Sequence, residues 1–136
     1  MTDILLQNNF TTNFLRESFA KLFNIKYNEI DIQDFDFLDG NNNLKLKIFG
    51  FVNLVKGDFS MQLTYNILDK SIEYNEIDFL KNLSLELNTD ILISDNSNID
   101  PYYSILITKN NEIKKVSMDE KDVGDFISYH IIKIID

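Results

Sequence analysis

The feature of this sequence that most restricts its fold is an alternating run of apolar residues between residues 43 and 68. Apolar side chains or a glycine occupy every second position on both sides of Lys56-Gly57. Because successive side chains of a strand point to opposite faces, this pattern predicts a β-hairpin with one continuous buried face. A two-residue loop at Lys56-Gly57 would place Leu54 opposite Phe59.

Two segments have the spacing of amphipathic helices. Residues 11–23 repeat apolar side chains at intervals of three and four, and Thr11 is a candidate N-cap. Residues 75–87 show the same spacing, with Asn75 as the candidate N-cap. We expect the aromatic-rich face of the first helix to pack in the core.

The remaining apolar segments predict strands. They are residues 29–39 with a kink near Gln33-Asp34, residues 90–94, residues 102–108 paired with 113–118 as a second hairpin, and residues 127–135. Thr108 would pair with Ile113, residues 40–43 and 95–101 would be loops, and residues 119–125 would form an acidic loop or short helix. The sequence therefore predicts a single α+β domain over residues 1–136: an antiparallel β-sheet built from hairpins with two helices packed on it.

The chain is strongly acidic, since 22 Asp and Glu residues oppose 13 Lys and Arg residues and give a formal net charge of -9. Arg16 is the only arginine, so the clustered cations that bind nucleic acid or an anionic membrane surface are missing. The first residues lack the pattern of a signal peptide, and no segment approaches the roughly 20 apolar residues of a membrane span. These features predict a cytoplasmic protein, a monomer or weak dimer, whose partners are neutral or basic.

Residues that commonly carry catalysis or hold metals are scarce. The chain has no cysteine, and its only histidine, His130, is expected to be a structural residue of the last strand. Motifs for phosphate, dinucleotide, serine-hydrolase and zinc-protease sites are absent, and the acids of residues 34–45 and 95–100 lack the spacing of a calcium loop. The sequence therefore predicts a protein without catalytic residues, cofactor or metal. An enzyme that uses only paired carboxylates is the least favoured hypothesis.

The acidic residues concentrate in three runs, at residues 29–39, 69–78 and 119–125, and aromatic residues accompany the first two. A negative patch with apolar anchors can steer and hold a basic protein partner. A merely solvated acidic surface is the other interpretation. The predicted partner contacts are Asp31, Asp34, Asp36 and Asp39 with Phe35 as the apolar anchor, followed by Asp119, Glu120 and Asp122.

Residues 76–120 combine a helix, the segment LNTDILISD, a polar loop and the segment DPYYSILITKNNEIKKVSMDE. In this arrangement the chain resembles the small acidic immunity proteins of bacterial polymorphic-toxin systems, including contact-dependent growth-inhibition systems. The resemblance implies an antitoxin that binds and neutralises the toxin domain of its own system, in many cases a basic nuclease. The alternative is an acidic secretion chaperone of the type III class that binds an effector protein. Such chaperones usually end with a helix, whereas this chain is expected to end on a strand.

Overall fold

The computed structural model describes residues 1–40, 45–95 and 103–135, so the loops predicted at 40–43 and 95–101 lie largely outside the described residues. The elements are β1 (Thr2–Leu6), α1 (Thr12–Phe23), β2 (Ile30–Asp34), β3 (Ile48–Leu54), β4 (Lys56–Gly57), β5 (Met61–Ile67), α2 (Glu76–Leu87), β6 (Ile91–Ser94), β7 (Tyr103–Ile107), β8 (Ile113–Asp122) and β9 (Ile127–Ile135). Short 3₁₀ turns at Tyr27–Glu29 and Phe35–Phe37 flank β2.

All the described strands belong to one sheet, in the order β2-β3-β5-β1-β6-β7-β8-β9-β4. Neighbouring strands are antiparallel except in the pairs β2 with β3 and β4 with β9. Both helices pack against this sheet. The predicted α+β class, a mostly antiparallel sheet with two helices packed on it, is therefore confirmed.

The two faces of the sheet have separate cores. On one face the strands pack with α1 and α2 around Phe19, Tyr65 and Leu83, each of which is at most 1% exposed. On the other face Phe59 and Val116 belong to a second buried cluster that contains no helical residue. We call these the helix-covered face and the helix-free face.

The sheet curls around its helix-free face. β4 follows β3 closely in the chain, yet it pairs with β9 at the far end of the strand order. The backbone N–H of Asp58 donates to Tyr129 O at 2.8 Å, and the Asp58 carboxylate accepts from the backbone N–H of Ile131 at 2.7 Å. The connection between β3 and β5 therefore closes the curled sheet against β9.

Both helices begin where the sequence predicts. The side chain of Thr11 accepts a hydrogen bond from the backbone N–H three residues later at 3.1 Å, and Asn75 does the same at 3.0 Å. These bonds satisfy amide groups that the helix itself leaves free. Each helix ends at an asparagine in the left-handed conformation, Asn24 for α1 and Asn88 for α2.

The first hairpin is present, but its predicted register and turn are wrong. Leu54 of β3 lies opposite Met61 of β5, two residues from the predicted partner Phe59. A shift of two residues keeps every side chain on its face, so the apolar alternation could not distinguish the two registers. The backbone N–H of Val55 donates to Ser60 O at 3.1 Å, which leaves β4 free to pair with β9 and Phe59 free to enter the second core.

The second hairpin, β7 with β8, is also present with a different register. Ile113 pairs with Ile107 and not with the predicted Thr108. The backbone N–H of Thr108 donates to Glu112 O at 2.9 Å and closes a shorter loop, in which Asn111 is left-handed with φ 67°. Because asparagine tolerates this conformation, the loop can be one residue shorter than predicted.

The pattern of residues 119–125 predicts a loop or short helix, which is wrong for residues 119–122 and confirmed as a loop for residues 123–125. β8 continues to Asp122 and pairs with β9 along this segment. β1 is a strand that the alternation does not predict, although it lies between β5 and β6 in the middle of the sheet. Its residues Ile4, Leu5 and Leu6 are all buried, as expected for a strand covered on both faces.

Candidate functional site

The acidic segment after β2 forms a 3₁₀ turn and does not continue the predicted strand. Asp34 caps this turn, because its carboxylate accepts a hydrogen bond from the backbone N–H of Asp36 at 3.1 Å. The kink predicted near Gln33-Asp34 is therefore the end of β2. A continued strand would turn Phe35 and Phe37 toward the same face of the sheet, whereas the turn leaves both exposed.

Exposed aromatic residues lie among the acids of this turn. Phe37 is 77% exposed, and Phe35 is 49% exposed although its ring packs on Phe51 at a centroid distance of 5.4 Å. Large apolar side chains in such positions are typical of protein-binding surfaces, where aromatic residues supply much of the binding energy. We define the acidic–aromatic surface as Asp34, Phe35, Asp36, Phe37 and Asp39.

The carboxylates of the acidic–aromatic surface have no cationic partner among the residues that the structure describes. Gln33 fixes the backbone of Asp39 with two hydrogen bonds, of 2.7 and 3.2 Å. The same amide donates to Asp31 at 2.6 Å, which places this predicted contact next to the surface. Negative charge therefore concentrates at the edge of the sheet that β2 forms.

Glu29, the first acid of the same run, has a structural role. Its carboxylate lies 2.9 Å from Lys47 Nζ and accepts a hydrogen bond of 2.9 Å from the backbone N–H of Lys26. These two hydrogen bonds lower the pKa of Glu29, and Glu29 in turn raises the pKa of Lys47. Glu29 thus joins the start of β2 to the start of β3, and its charge is already paired.

The second group of predicted contacts, Asp119, Glu120 and Asp122, lies on β8. Two of these acids make local contacts, and the third lines a cavity. Asp119 lies 3.5 Å from Lys121, and Asp122 accepts a hydrogen bond of 3.1 Å from the backbone N–H of Gly124. Glu120 instead lines a cavity on the helix-free face. Five strands separate β8 from β2 in the sheet order, so these residues do not belong to the acidic–aromatic surface.

The cavity on the helix-free face has a volume of about 230 Å³ and lies beside the second core. Asp3 of β1, Glu120 of β8 and Tyr129 of β9 line it. Partial burial, followed by the charges of Glu120 and Asp3, raises the pKa of the Tyr129 phenol. The Thr64 hydroxyl donates to the Asp3 carboxylate at 2.5 Å and fixes its orientation. The sequence patterns did not indicate Asp3, because β1 was not predicted. They did not indicate Tyr129 either, because candidate contacts were chosen from acidic runs and Tyr129 lies outside them.

The strand register places the cavity and the acidic edge on the same face of the sheet. Gln33, Phe51, Thr64 and Asp3 are successive partners across β2, β3, β5 and β1. Adjacent strands are about 4.8 Å apart, so the row from Gln33 to Asp3 spans about 15 Å. The row faces away from the helices, because flanking residues such as Ile32 belong to the helix-covered core.

The acidic run at residues 69–78 has local roles before and at the start of α2. The Asp69 carboxylate accepts hydrogen bonds from the hydroxyl and the backbone N–H of Ser71, which lower the pKa of Asp69. Glu76 and Asp78 lie in the first turn of α2, where the positive end of the helix dipole favours acids. This run therefore contributes to local structure.

His130 lies beside a serine and an aspartate. Its Nε2 is 2.8 Å from Ser128 Oγ, and its Nδ1 is 3.9 Å from Asp58 Oδ1. The order of these groups is that of a Ser-His-Asp triad, but 3.9 Å is too long for the hydrogen bond that orients a catalytic imidazole. The other carboxylate oxygen of Asp58 accepts a hydrogen bond from the backbone N–H of Ile131. We therefore interpret this cluster as part of the contacts that hold the β3–β5 connection against β9.

The described part of the chain contains no group of three His, Cys, Asp or Glu side chains that could hold a metal ion. Neither described helix is long and apolar enough to cross a membrane. The chain matches no protein family, and comparisons with curated proteins and with solved structures also find no match. Function is therefore inferred from the geometry of the helix-free face and of the edge at β2.

Proposed function

We propose that this chain is an acidic immunity protein that binds and neutralises a basic toxin domain, with a nuclease as the expected class, through the acidic–aromatic surface. One observation carries the proposal. Phe35 and Phe37 are exposed between carboxylates that have no cationic partner among the described residues. The resemblance of residues 76–120 to immunity proteins and the net charge of -9 support the same class of function.

The two kinds of residue in this surface would contribute differently to binding. Unpaired carboxylates attract a basic protein at long range and raise association rates by about 10–10³ at low salt. Exposed rings supply apolar area, which contributes roughly 25 cal/mol per Å² when it is buried. Because Gln33 already fixes the segment through Asp39, less conformational entropy is lost on binding. Such an inhibitor acts by covering its partner and needs no catalytic group.

Co-expression tests the proposal directly. The toxin would be the C-terminal domain of the large secreted protein encoded by the adjacent gene, induced together with this chain in a bacterial host. We expect the wild type to restore growth and the double variant Asp36→Lys/Asp39→Lys to lose protection. Neither of these side chains is hydrogen-bonded to another described residue, so circular dichroism should show an unchanged fold.

The matched control is Glu17→Lys/Glu112→Lys, which makes the same change in net charge at exposed sites elsewhere. Protection by this control together with loss of protection by the first variant supports the proposal. A wild type that neither binds the toxin domain nor restores growth would contradict it.

A secretion chaperone is the second candidate, and one observation favours it. Ile132 and Ile134 of β9 are 65% and 49% exposed, on a strand that pairs with β4 only at Ser128 and Tyr129. Exposed apolar residues on a sheet edge can join two copies of a chain. Light scattering separates the candidates, because a chaperone of this class is expected to be a stable dimer and the immunity protein a monomer or weak dimer.

A further inference from the structure

The cavity on the helix-free face combines an apolar floor with acidic walls. Leu5, Leu92 and Met118 line it and also belong to the second buried cluster. Asp3 and Glu120 contribute carboxylates from strands far apart in the sequence, and none of the described residues that line the cavity is a lysine, arginine or histidine. The curl of the sheet around this face brings β1 and β8 to the same cavity.

We propose that this cavity receives an arginine or lysine side chain presented by the basic protein partner. The inference rests on the proposed function for the source of that side chain. The apolar floor suits the methylene stem, which such residues bury while their charged ends stay polar. The carboxylates of Asp3 and Glu120 suit the charged end, and the ring of Tyr129 can add a cation–π contact.

The acceptors of the cavity are arranged before any partner binds. Thr64, itself buried, holds the Asp3 carboxylate at 2.5 Å, so that oxygen does not need to be reoriented. The hydroxyls of Ser94 and Ser104 add further polar atoms to the wall. Several acceptors around one cavity favour a guanidinium group, which offers five N–H donors in a planar fork.

The position of the cavity agrees with a single docking event. Asp3 lies about 15 Å from Gln33 along the row of register partners, on the same face of the sheet. A protein–protein interface of ordinary size buries about 800 Å² on each partner and covers both places. The acidic–aromatic surface would then hold the partner at the edge, while the cavity takes one basic side chain.

A titration with N-acetyl-arginine amide, followed by ¹H–¹⁵N NMR, tests the cavity without the partner. N-acetyl-citrulline amide is the matched probe, because it has the same shape without the charge. We expect saturable shifts of the amides of Ser104, Met118 and Tyr129 with the arginine probe and no saturable shifts with the citrulline probe. Equal binding of the two probes, or no saturable shift at these residues, would overturn the proposal.

Substitutions in the cavity sharpen the result. Glu120→Gln and Asp3→Asn each remove one charge and keep the shape, and the asparagine oxygen can still accept from Thr64. Each is expected to weaken binding of the arginine probe about tenfold. Glu17→Gln removes one exposed charge far from the cavity and should leave the affinity unchanged. An unchanged affinity in both cavity variants would overturn the assignment.

The outcome can be separated from that of the proposed function. If the arginine probe binds but the toxin domain does not, the proposed function is wrong and the cavity still binds a cation. If the toxin domain binds equally well to wild type, Glu120→Gln and Asp3→Asn, the cavity is not part of the interface. In that case the acidic–aromatic surface alone would account for binding.

Discussion

Aromatic and acidic residues occur on both faces of the sheet, but in different surroundings. On the helix-covered face, aromatic residues such as Phe19 are buried, and the acids at the start of α2 support the helix dipole. On the helix-free face and its β2 edge, Phe37 is exposed, Asp3 and Glu120 line a cavity, and Asp36 and Asp39 have no cationic partner among the described residues. Both faces have a buried core, but the helix-free face and its β2 edge also retain charge and apolar area that folding does not use.

This difference shows that an acidic run is not uniform in its role. Within residues 29–39, Glu29 is paired with Lys47, whereas Asp36 and Asp39 are exposed and carry no ion pair within the described chain. The number of charges in a segment could not distinguish the paired Glu29 from the exposed Asp36 and Asp39, because Lys47, the partner of Glu29, lies outside that segment. Substitutions on the two faces are therefore expected to affect stability and binding differently.

The largest effect on stability is expected for Phe19→Ala on the helix-covered face. Phe19 is 0% exposed, and its ring contacts those of Tyr65 and Phe79 at centroid distances of 5.5 and 5.2 Å. The cavity left by the ring should lower the free energy of unfolding by about 3–5 kcal/mol, measured by urea denaturation. Phe37→Ala should change it by less than about 0.5 kcal/mol. Similar losses in the two variants would remove the distinction between the faces.

Phe37→Ala should instead have the larger effect on binding. Truncation of an exposed aromatic anchor is expected to weaken binding to the toxin domain by about 2 kcal/mol, measured by calorimetry. Leu85→Ala is the matched control, since Leu85 is 51% exposed on α2. Its affinity should equal that of the wild type. If Leu85→Ala weakens binding as much as Phe37→Ala does, the contact surface is not confined to the β2 edge.

Two substitutions of Asp34 separate its charge from its capping hydrogen bond. Asp34→Ala removes the bond to the backbone N–H of Asp36 and should destabilise the protein by about 1 kcal/mol. Asp34→Asn keeps an oxygen that accepts this bond, so its unfolding free energy should stay close to that of the wild type. Both variants should associate more slowly with the toxin domain, because both lose the charge. Slower association of Asp34→Ala alone would mean that the cap, and not the charge, matters.

The smallest effect is the dependence of stability on pH through Glu29. Folding lowers the pKa of Glu29 below its ordinary value of 4.5, so the folded chain binds this proton less readily than the unfolded chain does. The stabilisation is therefore present above the ordinary pKa and is lost as the pH falls through the lower, folded pKa.

Glu29→Gln should show a shallower decline of urea stability than the wild type between about pH 6 and pH 3. Lys47→Met removes one of the hydrogen bonds that lower this pKa and should also make the decline shallower. An acid dependence in Glu29→Gln as steep as in the wild type would show that other groups cause it.

The sequence predicts those parts of the fold that depend on local interactions. Both N-caps, Thr11 and Asn75, are hydrogen bonds within one turn, and both are found where predicted. The strand at residues 127–135 is also confirmed, as is the α+β class. The register of the second hairpin depends on the left-handed conformation of Asn111, which shortens its loop. The register of the first hairpin could not be predicted, because contacts distant in the chain decide it. Pairing of β4 with β9, for example, depends on a strand that comes about 70 residues later.

The candidate site was predictable only in part for a similar reason. The acids of residues 29–39 are visible as a charged run, but the exposure of Phe37 follows from the cap at Asp34, which ends the strand. The cavity was not predictable, because Asp3 and Glu120 come to line the same cavity only through the curl of the sheet. An aspartate whose side chain can bind the backbone two residues later is the local signal that could have indicated the turn.

We propose that the acidic–aromatic surface captures a basic partner. The most direct test is the association rate constant with the toxin domain, measured by stopped flow over a range of salt concentrations. At low salt Asp36→Lys/Asp39→Lys should associate at least about tenfold more slowly than the wild type and depend less on salt, whereas Glu17→Lys/Glu112→Lys should slow association much less. If Asp36→Lys/Asp39→Lys associates as fast as the wild type, with the same salt dependence, these carboxylates are only a solvated surface and the claim is wrong.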